Sequence, residues 1–199
     1  MIEVANLFPT ALGIYSDVLD THEIEKIKGD LELLYRRKGS SQFDQTAGNL
    51  NLLPEFSILK DKILSSAHLY YNEVLMFDGE LKMTQMWGNR YSQHEFIHSH
   101  YHPNSFISGV YYIETGNAPL VFENPRPHTA MSIWPPYKSL NAYTASNTTW
   151  SVQENTAYFF PSTLKHQSAP GDTRISISFN LIPTVLGHED TLDYTVIEG

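Results

Sequence analysis

Arg174-Ile175-Ser176-Ile177-Ser178-Phe179-Asn180-Leu181 is the stretch that decides the fold. Polar and apolar residues alternate along it without a break. A period of two predicts a β-strand with Ile175, Ile177, Phe179 and Leu181 on one face and Arg174, Ser176, Ser178 and Asn180 on the other. The apolar face needs a core to pack on. The polar face carries an arginine, so it is expected to line a polar cavity. Working back from it, residues 81–87, 107–113, 120–122, 149–152 and 157–160 are short, aromatic and β-branched, with turn residues between them, and read as further strands.

The first part of the chain has a different rhythm. Ile24, Ile27, Leu31 and Leu34 recur at helical spacing and predict an amphipathic helix over 21–38. Asp20 stands at its N-cap with Glu23 three residues on, the pattern of a capping box, and Leu19 with Ile24 suits a hydrophobic staple. A second stripe, Phe56, Leu59, Ile63, Ala67, Tyr70, Val74 and Phe77, predicts a helix over 54–77, opened by Pro54 and stopped at Asp78-Gly79. Helices followed by many short strands indicate an α+β, mainly β protein, with two N-terminal helices packed on one sheet of a β-sandwich or jelly roll. The chain reads as a single domain over 1–199, with a helical part at about 19–77 and a jelly-roll part at about 80–183. The proline-bearing stretch 123–136 is expected to be an ordered loop and 138–148 a polar surface loop.

The composition narrows the chemistry. At 199 residues the chain is long enough for a full core. It has no cysteine, which excludes disulfides, thiol nucleophiles and cysteine-ligated metals. Its net charge of −9 disfavours binding to a nucleic-acid backbone, which needs a clustered basic surface. There is no apolar run long enough to span a membrane. The start Met1-Ile2-Glu3-Val4 lacks the basic-then-apolar pattern of a leader, so a cytoplasmic protein is expected. The tyrosine-rich composition permits a homodimer interface.

Nine histidines stand against this absence of sulfur, four of them within 94–102. In an extended segment His98, His100 and His102 point the same way, and neutral imidazoles are good ligands for iron, copper, nickel and zinc. His94-Glu95-Phe96-Ile97-His98 also spells the H-E-x-x-H of zinc peptidases, whose chemistry needs a helix. The flanking residues argue against one, since Pro103 disfavours helix at His102. A distant third ligand is available in His166, which follows Phe160-Pro161-Ser162-Thr163-Leu164-Lys165. Arg174 comes next and suits a carboxylate in the cavity. His22, His68, His128 and His188 have no partner pattern.

Taken together, His100-Tyr101-His102-Pro103, Ser108-Gly109-Val110-Tyr111-Tyr112, Phe122-Glu123-Asn124-Pro125-Arg126, and Phe160 to His166 through Arg174 to Asn180 resemble the 2-oxoglutarate- and Fe(II)-dependent oxygenases. The likeness is to a branch of short proteins with an H-x-H-P…SGVYY and FPS-x-L-x-H…RISISFN pattern, and it covers roughly residues 45–183. It implies a double-stranded β-helix, the cupin-like jelly roll. It implies Fe(II) as metal and 2-oxoglutarate as cosubstrate, consumed with dioxygen to give succinate and CO2 while a small-molecule or peptide substrate is hydroxylated.

On this likeness His166 is the distal ligand. His100 and His102 are the proximal pair, with His98 as the alternative to His102. Arg174, Ser176, Asn89 and Tyr112 are expected at the cosubstrate, and Arg126 on the substrate side. The superfamily usually pairs its two histidines with a carboxylate, which this chain does not offer. Two further readings suit a three-histidine jelly roll: a cupin-like metalloenzyme working without 2-oxoglutarate, and a non-enzymatic binding module.

Overall fold

The computed structural model describes residues 1–37, 43–126, 136, 138–186 and 194–195. The expectations for His128, for His188 and for most of the stretch 123–136 lie outside these residues. The strands are β1 (Gly13–Ser16), β2 (Arg36–Arg37), β3 (Asp44–Gln45), β4 (Leu81–Tyr91), β5 (Ile97–His100), β6 (Ile107–Glu114) and β7 (Leu120–Glu123). They continue as β8 (Asn147–Trp150), β9 (Thr156–Pro161), β10 (His166–Ser168), β11 (Arg174–Pro183), β12 (Val185–Leu186) and β13 (Tyr194–Thr195). One sheet has seven strands in the order β1-β9-β6-β11-β4-β3-β2, and a smaller one has the order β5-β10-β7-β8. Neighbours within both sheets pair antiparallel. This is the expected jelly roll.

Helix α1 (Thr21–Glu32) opens on the predicted capping box. Asp20 accepts from Glu23 N–H at 2.8 Å, and Asp20 N–H donates to Glu23 at 2.8 Å. The helix ends at Glu32 rather than near 38, because the chain turns at Leu33 and Leu34 into β2. Helix α2 (Ser57–Leu69) follows a short 3-10 turn at Pro54–Phe56 and runs into a π-helical turn, Tyr70–Val74. That turn rotates the apolar stripe. Phe56, Leu59, Ile63, Ala67 and Tyr70 are buried as predicted, but Val74 and Phe77 are exposed.

The two faces of the large sheet carry separate clusters. On the outer face, Ile27, Leu31, Leu59, Ile63 and Ala67 of the helices pack with Met86, Ile107, Ile177, Phe179 and Leu181. Gly88 allows this approach, since a Cβ there would stand 2.6 Å from Leu31 Cδ2. Val110, Tyr112, Leu120, Phe122, Tyr158, Phe160 and Leu164 form a second cluster on the other side. A cleft also opens there. β11 thus keeps its predicted alternation, with one face on the helices and the other toward the cleft.

β4 changes phase midway. Asn180 stands opposite Gln85 and Leu181 opposite Met83, so Thr84 is an extra residue, a β-bulge. Leu81 and Met83 before it, and Met86 after it, join the helix-side core. Trp87, Asn89 and Tyr91 are thereby turned into the cleft.

Candidate metal centre

His100, His102 and His166 come together, each offering one ring nitrogen, and these atoms lie within 4.8 Å of one another. Local structure explains the convergence. His166 opens β10 and is paired with His100 of β5 on one side and Phe122 of β7 on the other. His102 lies just past β5, where its N–H donates to Ser162 O at 3.0 Å. Asn104 takes a left-handed φ of 60° beyond Pro103 and helps turn the chain into β6. The ring of His102 stacks on Trp87 at 5.7 Å, and that of His166 packs on Phe160 at 4.6 Å.

Two tautomers are set by the backbone. His100 Nδ1 lies 2.8 Å from His98 O and His166 Nδ1 lies 2.9 Å from Leu164 O. A carbonyl only accepts, so Nδ1 carries the proton in both rings and Nε2 keeps its lone pair for a metal. His102 has a buried Nε2 without a hydrogen-bond partner. Burial, with the neighbouring His100, holds His102 down to about 4, an effect partly offset by Asn180. Burial likewise holds His166 down to about 3, against the Leu164 carbonyl and with His100 and His102 adding to it. Neutral, desolvated imidazoles with free lone pairs are the form that ligates. The residues present therefore fit a metal ion, with three nitrogens and no carboxylate in the group.

His98 does not join. Simple alternation would place it beside His100, but the register slips between Ser168↔Ile97 and His166↔His100, three steps along β5 against two along β10. The bulge puts Ile97 into the cleft and leaves His98 exposed, its ring edge-on to Phe96 at 4.8 Å. The H-E-x-x-H reading fails on geometry. Gln93 and His94 form a turn, Ile97 begins a strand, and no helix brings His94 and His98 to one face.

Arg174 stands deeper in the same cleft, wholly buried. Its Nη2 donates to Glu95 O at 3.0 Å and to Ser168 Oγ at 2.8 Å, and its guanidinium lies 3.9 Å over the Tyr91 ring. Its Nε and Nη1 have no partner. Burial pushes its pKa down, while Tyr91, Tyr112 and Glu95 push the other way. A buried cation with two unsatisfied N–H groups and no ion pair to a described residue is costly unless an anion completes it.

Ser176 and Tyr112 are buried and line the cleft nearby. Asn89 lines it too, but its side chain is committed to Ser178 Oγ at 3.1 Å and to Gln45 Nε2 at 2.9 Å. Arg126 stands outside this group. It is exposed, and its guanidinium donates to Leu7 O and Phe8 O, both at 2.8 Å. Sequence reasoning passed over Tyr91 and Ser168. Tyr91 shares the parity of Trp87 and Asn89 in β4, and Ser168 that of His166 in β10, so alternation was the signal available.

The family model described as "Putative 2OG-Fe(II) oxygenase" matches residues 85–180, a span that contains His100, His102, His166 and Arg174. Over this span the chain resembles the 2-oxoglutarate/Fe(II) oxygenases. Solved structures agree on the fold. The non-heme α-ketoglutarate-dependent epimerase SnoN from nogalamycin biosynthesis has a TM-score of 0.65 at 12% identity, covering 96% of this chain and 89% of SnoN. HygX from Streptomyces hygroscopicus, with nickel and 2-oxoglutarate bound, has a TM-score of 0.60 at 15% identity, covering 88% and 84%. The viral collagen prolyl hydroxylase vCPH from Paramecium Bursaria Chlorella virus-1, in complex with 2-oxoglutarate, has 0.52 at 14% identity, covering 85% and 94%. No curated protein matches this chain in sequence. Among its described residues, no helix is long and apolar enough to cross a membrane.

Proposed function

We propose that this oxygenase holds Fe(II) through His100, His102 and His166, binds 2-oxoglutarate through Arg174, and hydroxylates a C–H bond of its substrate in the cytoplasm. The observation that carries this reading is Arg174. A three-histidine jelly roll alone suits several metalloenzymes, but a fully buried guanidinium with Nε and Nη1 unpartnered calls for a carboxylate beside the metal group. The same observation favours a 2-oxoglutarate enzyme over a cupin-like enzyme that uses no cosubstrate. Absence of cysteine is compatible with a reducing compartment.

With Fe(II) and dioxygen, 2-oxoglutarate supplies the oxidative decarboxylation to succinate and CO2 that oxidises the substrate. The chain's own part is positional. His98 O and Leu164 O fix the imidazoles of His100 and His166. Ser168 and the Glu95 carbonyl hold the Arg174 fork, and Tyr91 covers its face. Ser176 and Tyr112, which line the same cleft, would donate hydroxyl hydrogen bonds to the cosubstrate. Trp87, Phe160 and Phe122 keep water from the histidine rings.

The test is an anaerobic titration with Fe(II) and 2-oxoglutarate, read by the weak visible charge-transfer band of the chelate. Succinate formation in air is measured in parallel. The band is expected for the wild type, absent for His166→Ala, and lost at ordinary 2-oxoglutarate concentrations for Arg174→Ala. A wild-type protein that takes up Fe(II) but neither binds nor turns over 2-oxoglutarate would leave the cupin-like reading standing instead.

A further inference from the structure

Strand register alone locates the two ends of the site. β10 runs from His166, opposite Phe122, to Ser168, opposite Leu120. Arg174 is bonded to Ser168, so the carboxylate-binding end lies at the Leu120–Ser168 pair. β7 runs the other way, past Phe122 and out through Glu123 to Arg126. Arg126 therefore lies on the far side of the histidines from Arg174. Four residues of extended chain reach at most roughly 14 Å, which keeps the backbone of Arg126 that close to Phe122.

What Arg126 holds there is a piece of polypeptide, the chain's own N-terminal arm. Its Nη1 donates to Leu7 O and its Nη2 to Phe8 O, the carbonyls of two successive residues. The guanidinium lies 5.3 Å from the Phe8 ring. From the neighbouring loop, Tyr143 OH donates to Asn6 Oδ1 at 2.9 Å. The holder is itself braced. Asn124 accepts from Arg126 N–H at 2.9 Å and donates through Nδ2 to Ala145 O at 3.0 Å. Asn141 Oδ1 accepts from Tyr143 N–H at 2.9 Å. The arm, in contrast, is exposed from Met1 to Thr10 and buries no apolar side chain. A braced arginine fork is thus spent on a segment that has little else holding it down, and it reads main-chain carbonyls rather than side chains.

We propose that Arg126 and Tyr143 form a clamp for extended polypeptide at the substrate side of the histidine group, that residues 6–8 are its intramolecular occupant, and that the substrate class of this oxygenase is a polypeptide segment that displaces them. The substrate assignment rests on the oxygenase reading above; the clamp itself does not.

The test uses the full-length, metal-free protein and a fluorescein-labelled synthetic peptide of residues 3–10, followed by fluorescence anisotropy. Phe8→Ala loosens the resident arm, so it is expected to bind the peptide at least about fivefold more tightly than wild type. Adding Arg126→Ala to that variant is expected to weaken binding at least about tenfold, with an unchanged far-UV spectrum. With Fe(II), 2-oxoglutarate and dioxygen present, the peptide is expected to alter succinate formation by Phe8→Ala but not by the double variant. Equal affinities of the single and double variants, no peptide binding, or an affinity for acetate equal to that for the peptide overturns the clamp. Peptide binding without any effect on succinate formation overturns the substrate assignment. Arg174→Ala is expected to bind the peptide like wild type. Peptide binding with no wild-type turnover of 2-oxoglutarate therefore removes the oxygenase reading alone, and turnover without peptide binding removes the clamp alone.

Discussion

The two faces of β11 are equally dry and differ in what they leave undone. Ile177, Phe179 and Leu181 face the helices with no measurable exposure, and every neighbour they need is supplied by the chain. Arg174, Ser176 and Asn180 on the other face are buried almost as deeply. Asn180 is satisfied, accepting from Ser108 Oγ at 2.8 Å and donating to Gln85 Oε1 at 3.0 Å. Arg174 is not, and neither is His102 across the cleft. Burial on one face is the source of stability. On the other face it is a cost that a ligand offsets, and it falls on the residues with metal-binding and anion-binding chemistry.

Substitutions on the two faces should therefore part company. The largest effect is expected from Phe179→Ala. Truncating this fully buried ring should cost about 3–5 kcal/mol in urea unfolding. Ligand affinity should survive wherever the protein remains folded. A cost under about 1 kcal/mol would mean that the helix-side core is not the stabilising layer.

The cleft face should instead respond to pH. In the metal-free protein His102 and His166 sit at about 4 and about 3, below the ordinary 6.5. The unfolded chain then binds more protons than the native one between these values, so stability is complete above about pH 6.5 and falls as pH drops toward 3–4. By pH 5 the loss should be on the order of 1–2 kcal/mol for each histidine. Urea midpoints at pH 7 and pH 5, compared with those of a His102→Gln/His166→Gln variant, check this. A variant as acid-sensitive as wild type would break the assignment.

The smallest change in stability is expected where the loss of function is complete. Arg174→Met removes a buried charge with unsatisfied donors. It should leave the unfolding free energy unchanged or raise it by up to about 2 kcal/mol, while 2-oxoglutarate binding disappears. A loss of several kcal/mol would show that Arg174 is a structural residue.

How legible this was depended on whether alternation ran unbroken. The residues bulged against β11 lie in its partners, Thr84 in β4 and Ile113 in β6, so its own eight residues from Arg174 to Leu181 sort correctly from sequence alone. His166 and Arg174 reach the same cleft because only one short strand and a turn separate them. His98 was misplaced because the slip in β5 leaves no glycine or proline to advertise it, and alternation counts straight through. The end of the α2 stripe was overrun because a π turn inserts one residue into the helical rhythm without a sequence mark. The hold of Arg126 on the arm spans more than a hundred residues of sequence, and such a contact leaves no local signal.

The bulge at Thr84 has a consequence for how the chain tolerates change. Thr84 is exposed, so its identity should matter little. Counted without it, β4 alternates unbroken from Leu81 to Tyr91. Removing the residue would set Met83 and Gln85 in succession opposite Leu181 and Asn180, keeping Leu81 and Met83 on the helix side and Trp87, Asn89 and Tyr91 in the cleft. A deep mutational scan should find position 84 indifferent to nearly every substitution and more tolerant of a single-codon deletion than its neighbours in β4, a residue that adds length to the strand without adding phase.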